Sequence, residues 1–264
     1  MKPVRIGDKF IGPGHPTYVI AEAGVNHKGS LEAARRMIDE AKRAGADAIK
    51  FQTYKADKLV TRTAPRYWDD PEATGTQFAI FKRADCFDEN DYQALFQHAH
   101  NVGITWLSTA FDLDAVRFLD ELGMQAFKVA SADLTNYPLL MAVAETGKPV
   151  ILSTGASELA EVHAAVDFLR LHGCRDLVLL YCVLSYPTAD EDANLRRIQT
   201  LQNAFPEIPV GFSDHTVPDD CVIVPSAAVA LGAACVEKHF TLDRSLPGDD
   251  HYLSVDPVQL ATMV

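Results

Sequence analysis

Eight short apolar runs, separated by longer stretches of helical periodicity, constrain the fold of this chain more than any other feature. The runs are Tyr18–Ala21, Ala48–Gln52, Thr105–Thr109, Ala126–Ala130, Val150–Ser153, Leu177–Tyr181, Val210–Ser213 and Cys235–His239. Their near-continuous apolar character suits strands buried on both faces. Between them, Leu31–Ala44, Glu89–Asn101, Leu113–Leu122, Pro138–Glu145, Glu158–Leu171, Ala193–Ala204 and Asp219–Ala230 read as helices. Gly45, Gly103, Gly123, Gly147, Gly173 and Gly232 each follow a helical pattern and precede the next strand, where a left-handed residue ends a helix with little strain.

Strands that alternate with helices pair in parallel, and eight such units favour closure into an α/β fold, the (β/α)8 TIM barrel. A doubly wound open sheet is the alternative, but it ordinarily carries a glycine-rich phosphate turn after its first strand. Here that position reads Glu22-Ala23-Gly24-Val25-Asn26-His27, which is not a GxGxxG pattern. Val4–Ile11, with Gly7-Asp8 inside it, reads as an N-terminal hairpin that caps the barrel bottom. With no linker or low-complexity segment, residues 1–264 form a single catalytic barrel. The connection from Thr53 to about Asp88 is far longer than the usual few residues and carries Tyr67, Trp68 and Phe78, as a lid or subunit contact would. The chain stops at Thr262-Met263-Val264, within the eighth helical pattern, which suggests the N-terminal portion of a longer protein.

The length of 264 residues fits a single barrel of roughly 250. A formal net charge of −12 argues against a nucleic-acid partner, and it means that any anion site needs its own local cations. No apolar run approaches the roughly 20 residues that span a bilayer, and Met1-Lys2-Pro3-Val4-Arg5 leads into no apolar stretch of signal-peptide length. Five cysteines without a CxxC pair fit reduced thiols, so a cytoplasmic protein without a membrane partner is expected.

Barrel enzymes build their sites from residues at the C-terminal ends of the strands. In this chain those ends carry Glu22, with Asn26 and His27 beyond it; Lys50 and Gln52; Ser108-Thr109; Lys128 and Ser131; Ser153-Thr154; Ser213-Asp214-His215; and Glu237-Lys238-His239. A closed barrel has no edge strand where a mid-strand lysine can reach solvent, so Lys50 and Lys128 point into the barrel mouth. A buried ammonium needs a partner, either an anionic ligand or a structural ion pair. The hydroxyls are weaker signals, since serine and threonine at strand ends also cap helices. His215 and His239 end adjacent strands, and imidazole suits first-row divalent metals, with Glu22 or Asp250 as oxygen donors. Asp214 and Glu237 stay ambiguous between orienting a neighbour and pairing with a cation. The residues alone describe a site for a small, multiply charged, phosphate-bearing anion.

The run Ile20-Ala21-Glu22-Ala23-Gly24-Val25-Asn26-His27-Lys28-Gly29 resembles the opening motif of the sialic acid synthases, a family that includes the legionaminic and pseudaminic acid synthases. Ile49–Thr53, Leu107–Asp112, Phe127–Ser131, Ile151–Gly155, Cys182–Pro187, Gly211–His215 and Glu237–Thr241 resemble its later motifs in order, so the likeness covers essentially the whole chain. The resemblance implies a metal-dependent condensation of phosphoenolpyruvate with an N-acetylhexosamine such as N-acetylmannosamine, releasing phosphate. It implies His215 and His239 as ligands of a divalent metal, typically Mn²⁺, with Mg²⁺ or Co²⁺ as alternatives. By the same resemblance Lys50, Thr109, Lys128, Ser131, Ser153 and Ser213 hold phosphoenolpyruvate, Glu22 and Gln52 manage water and protons, and Asp133, Tyr186 and Asp250 contact the sugar. Glu22, Gln52, Lys50 and Lys128 are thus the expected catalytic set. The family also implies a homodimer and a C-terminal antifreeze-like domain that this sequence lacks. Leu184, Ala110, Asp249 and Asp133 depart from the family pattern, which more often has a polar residue, prolines and a glutamate there. The alternatives are a phosphoenolpyruvate-dependent synthase with another aldose acceptor, a non-catalytic ligand-binding barrel and a metal-dependent hydrolase. An acceptor phosphate would need further cations, for which Arg62, Arg66 and Arg83 are the candidates.

Overall fold

The structure, a computed structural model, describes residues 1–66 and 75–264. Strands β1 (Val4–Ile6) and β2 (Lys9–Ile11) form an antiparallel hairpin. Eight parallel strands follow: β3 (Tyr18–Gly24), β4 (Ala48–Thr53), β5 (Thr105–Ala110), β6 (Phe127–Val129), β7 (Val150–Ser153), β8 (Leu177–Cys182), β9 (Val210–Asp214) and β10 (Cys235–His239). They pair in chain order and close where β10 meets β3, with Glu237 opposite Ile20 and His239 opposite Glu22. Closure of the sheet rules out the open doubly wound alternative. The hairpin lies at the strands' N-terminal end, as its sequence predicts: Lys9 pairs with Asp47, just before β4, and Gly7 sits against Gln125 and Thr105.

The first helix shows how locally the elements are specified. In α1 (Leu31–Ala44), the Ser30 hydroxyl accepts from the Ala33 N–H, and Gly45 ends the helix at φ 92°. Its buried residues Ala34, Met37, Ile38 and Ala41 recur at helical spacing, so one stripe faces the sheet. Two short helices, α2 (Ala56–Leu59) and α3 (Gln77–Ala84), lie in the long second connection, before α4 (Glu89–Val102). Then come α5 (Leu113–Glu121), α6 (Tyr137–Glu145), α7 (Leu159–Leu171), α8 (Arg197–Ala204), α9 (Ile223–Ala230) and α10 (Pro257–Met263). Two helices start later than the sequence predicts. Asn194, at φ 45°, breaks the chain before α8. Before α9, the Asp219 carboxylate accepts from the Cys221 and Ile223 N–H groups, a local turn that competes with helix.

The long connection is anchored rather than loose at its ends. Phe78 lies under the Arg62 guanidinium, 5.5 Å from it; Tyr67 and Trp68 lie outside the described residues. The buried Asp85 carboxylate binds Lys55 Nζ at 2.9 Å, the Ala56 N–H at 3.2 Å and Lys82 Nζ at 3.2 Å. Desolvation acts to raise the Asp85 pKa, but these three donors hold it below its usual value. Among the described residues no helix is long and apolar enough to cross a membrane, and all five cysteines are free.

A Cβ at Gly211 would collide with the Cys235 carbonyl oxygen and lie 2.7 Å from Leu180 Cδ2. Gly211→Ala should therefore cost about 3 kcal/mol in denaturant titration, and a loss below about 1 kcal/mol would show that the sheet yields there. Because the Asp85 pKa is lowered, its stabilisation is present at neutral pH and fades as pH falls through the depressed value. Asp85→Asn should cost about 1–2 kcal/mol at pH 7, both partner lysines being half exposed. That difference should shrink as pH falls below the unfolded-state value of about 4 and through the depressed value of the fold; a difference independent of pH would refute the charge account.

Candidate functional site

Alternation along the strands sends every second side chain inward, and at the C-terminal ends the inward residues meet. Lys50 on β4 lies at the centre of the first group. Its Nζ pairs with Glu22 Oε2 at 2.6 Å and donates to Thr109 Oγ1 at 2.8 Å. Gln52, two residues on, donates from Nε2 to Glu22 Oε1 at 3.2 Å. Glu237 on β10 bridges to the far side. Its Oε1 lies 3.8 Å from Lys50 Nζ and 3.5 Å from Lys128 Nζ, and it accepts from Ser213 Oγ at 3.1 Å. Glu22, Lys50, Thr109, Lys128, Ser213 and Glu237 are all buried, so both ammonium groups are balanced within the barrel. Glu237, ambiguous in the sequence, is thus the residue that joins the two lysines; alternation with His239 turns it inward but does not name its partners.

Burial separates the two carboxylates electrostatically. Desolvation raises Glu22 to about 7, with Lys50 opposing and Glu237 adding to the rise. Glu237, despite its own desolvation, is held below the usual range by Lys128 and Lys50. One member of the pair is therefore near proton-carrying at neutral pH and the other ionised. Burial also depresses the Lys128 ammonium, against the pull of Glu237.

Beside Lys128, the Ser131 hydroxyl accepts from the Gly155 N–H at 2.8 Å and lies 3.1 Å from Cys182 Sγ. Ser153 is buried at the end of β7, and its hydroxyl has no hydrogen-bond partner among the described residues. Asp133 stands apart from this cluster on the turn after Ser131, where it accepts from Asn136 Nδ2 at 2.9 Å. Ser108 faces the other way and bonds Thr53 Oγ1 at 2.7 Å, behind the sheet.

The second group forms at the ends of β9 and β10. The rings of His215 and His239 are 5.5 Å apart, and Tyr186 stacks on His215 at 4.1 Å. His215 Nδ1 lies 2.8 Å from the Val183 carbonyl, so it carries the proton, and the Nε2 lone pair accepts from the Tyr186 hydroxyl at 2.9 Å. Asp250 Oδ2 lies 3.3 Å from His239 Nδ1. Burial lowers the His215 pKa to about 4, and it takes His239, which also faces His215, well below its usual value. Asp250 is pushed up to about 7, first by desolvation and then by Asp249 and Glu22.

Two neutral imidazoles, one with its tautomer set by a backbone carbonyl, fit the donor chemistry of a divalent metal. The buried His239 Nδ1 lacks a well-aligned hydrogen bond, which also fits. Among the described residues, no three His, Cys, Asp or Glu side chains are already gathered as a coordination sphere. A groove of about 510 Å³ elsewhere, between α8 and α9, is lined by Leu195, Ile223 and Leu231 and shares none of these groups.

Asn26 joins the loops after β3 and β10. Its Nδ2 donates to the Phe240 carbonyl at 2.9 Å and to Ser254 Oγ at 3.0 Å, and its Oδ1 accepts from the Asp250 N–H at 3.2 Å.

A closed (β/α)8 barrel whose mouth sets two charge-balanced lysines beside paired neutral imidazoles defines a class: barrel enzymes that act on small anions. The comparisons narrow it. The NeuB family profile matches residues 37–264, and the chain belongs to the NeuB family. It is 46% identical to a Methanocaldococcus jannaschii protein over its entire length, covering 74% of that protein. It is 40% identical to the N,N'-diacetyllegionaminic acid synthase of Legionella pneumophila, over 98% of this chain and 73% of that one. Among solved structures, the N-acetylneuraminic acid synthetase of Leptospira borgpetersenii superposes with a TM-score of 0.88 at 37% identity. That match covers 99% of this chain and 86% of the other. The chain is thus an enzyme of the sialic acid synthase type.

Replacing Asn26 with Ala strands the partly buried Asp250 N–H and frees two loops. Asn26→Ala should cost about 2–3 kcal/mol in denaturant unfolding; a variant within about 0.5 kcal/mol of the parent would show that the loops hold without it.

Proposed function

We propose that this enzyme condenses phosphoenolpyruvate with the open-chain aldehyde of an N-acetylated amino sugar, such as N-acetylmannosamine, and releases phosphate. One observation carries the reading: Lys50 and Lys128, buried and charge-balanced inside the barrel, share a mouth with the neutral pair His215 and His239. The likeness to synthases of legionaminic and N-acetylneuraminic acid supports the choice of substrates.

In this reading C3 of phosphoenolpyruvate forms a bond to the aldehyde carbon, water adds at C2, and the C2–O bond to phosphate breaks. Lys50 and Lys128 offset an anion of about three negative charges, while Thr109, Ser131 and Ser153 donate hydrogen bonds to it and Ser213 would join them by turning its one O–H from Glu237. The unpartnered Ser153 hydroxyl is suited to that task. His215 and His239 would hold a divalent metal, Mn²⁺ or alternatively Mg²⁺ or Co²⁺, which when bound supplies Lewis-acid polarisation of the aldehyde. Glu22, poised near pH 7 and oriented by Gln52, holds or releases the proton of the attacking water. By the family resemblance Tyr186, Asp250 and Asp133 would contact the sugar's hydroxyls; Tyr186 and Asp250 lie against His215 and His239 respectively. The free cysteines support a cytoplasmic setting, and the family resemblance supports a homodimer.

The deciding experiment is phosphate release from phosphoenolpyruvate with Mn²⁺ across a panel of N-acetylhexosamines and other aldoses. Release should require both metal and one N-acetylated acceptor, and His215→Ala should abolish it. Lys128→Met should raise KM for phosphoenolpyruvate at least about tenfold. Release with a sugar phosphate lacking the N-acetyl group, or none with any acceptor, would overturn the reading.

A further inference from the structure

Directly behind the two histidines, on the outer face of the sheet, lies an ion pair that the proposed chemistry does not touch. Asp214 precedes His215 and Lys238 precedes His239, so alternation turns this pair away from the mouth as it turns the imidazoles toward it. Lys238 Nζ contacts Asp214 Oδ2 at 2.7 Å, and both side chains are 0% exposed. The strands pair Lys238 with Asp214 in register. Thr216 completes a bracket: its carbonyl accepts from Lys238 Nζ at 2.5 Å, and its N–H and hydroxyl donate to Asp214 at 3.0 and 3.1 Å.

The bracket constrains His215 from both sides. Residues 214 and 216 are tied to each other and to β10, while the His215 carbonyl accepts from the Thr188 N–H at 2.9 Å. The same lysine sits one residue before His239, whose carbonyl accepts from the Val255 N–H at 2.8 Å. Two strand ends that each carry an imidazole are therefore cross-linked at the residue before it. Stability alone does not call for this arrangement, because buried ion pairs are often replaced by apolar residues without loss. Fixed geometry does call for it, since groups one layer behind a ligand set its orientation.

We propose that Asp214 and Lys238, with Thr216, are positioning residues that fix the spacing and orientation of His215 and His239. The inference rests on the reading of those histidines as the metal-holding pair. Its test compares Asp214→Asn, Lys238→Met, the double variant and Thr216→Val for thermal stability, Mn²⁺ affinity without substrates, and steady-state kinetics. Each single charge variant leaves one buried charge unpaired and should lose stability, whereas the double variant should regain most of it. Positioning predicts that the double variant still binds Mn²⁺ at least about tenfold more weakly and loses about 10–100-fold in kcat. Its KM for phosphoenolpyruvate should stay within about twofold, because Lys50 and Lys128 are untouched. Thr216→Val, which unpairs no charge, should show a smaller loss in the same direction and serves if the charge variants do not fold. A folded double variant, or Thr216→Val, with parental metal affinity and kcat would reduce the bracket to a structural ion pair and overturn the proposal. A parent enzyme that binds no Mn²⁺ would instead remove the metal-holding reading on which it rests.

Discussion

Burying two ammonium groups inside a closed barrel is the constraint that the rest of this mouth answers. Lys50 and Lys128 come from β4 and β6, and both are almost fully buried. Glu237 reaches both from β10, across the barrel, and Glu22 covers Lys50 from β3. Four strands are thereby tied by charge as well as by backbone hydrogen bonds. Removing one partner of such a set leaves an uncompensated buried charge, which costs several kcal/mol where an exposed pair would cost almost nothing.

The same strand ends carry a second charged layer facing outward, the Asp214–Lys238 pair. Between the layers stand His215 and His239, whose desolvation keeps them neutral. Neutrality matters to both neighbours. Two imidazolium ions 5.5 Å apart would repel each other, and they would compete with Lys50 and Lys128 for the same carboxylates. The loops continue the pattern, with Asn26 carrying the β3–β10 seam up to Asp250.

Much of this was legible in the sequence because it is local. Near-continuous apolar runs and the glycine stops mark the strands and helices, and the inward set at 50, 128, 213, 215 and 239 follows from alternation alone. The helix starts before α8 and α9 were not legible, because Asp219 and Asn194 divert the backbone by side-chain and left-handed geometry that helical periodicity does not see. Nor was the role of Glu237: its type and position suit several partners, and only the closed circle of strands brings Lys50 and Lys128 to the same oxygen. Pairings between residues more than a hundred positions apart depend on closure, and no window of sequence contains them.

Charge balance also bears on what kind of ligand this mouth favours. The chain as a whole is strongly negative, so long-range attraction does not gather anions. Selectivity must come from the lysines themselves, and these already have carboxylate partners. A singly charged anion would compete with Glu22 and Glu237 on even terms while also losing its hydration. An anion with several charges gains from both ammonium groups at once, and its arrival beside Glu22 favours the protonated form of a carboxyl already poised near pH 7. Uptake of that proton would remove one competitor for Lys50 and leave an acid next to Gln52. Binding of a polyanion and placement of a proton are in this way two faces of one electrostatic balance.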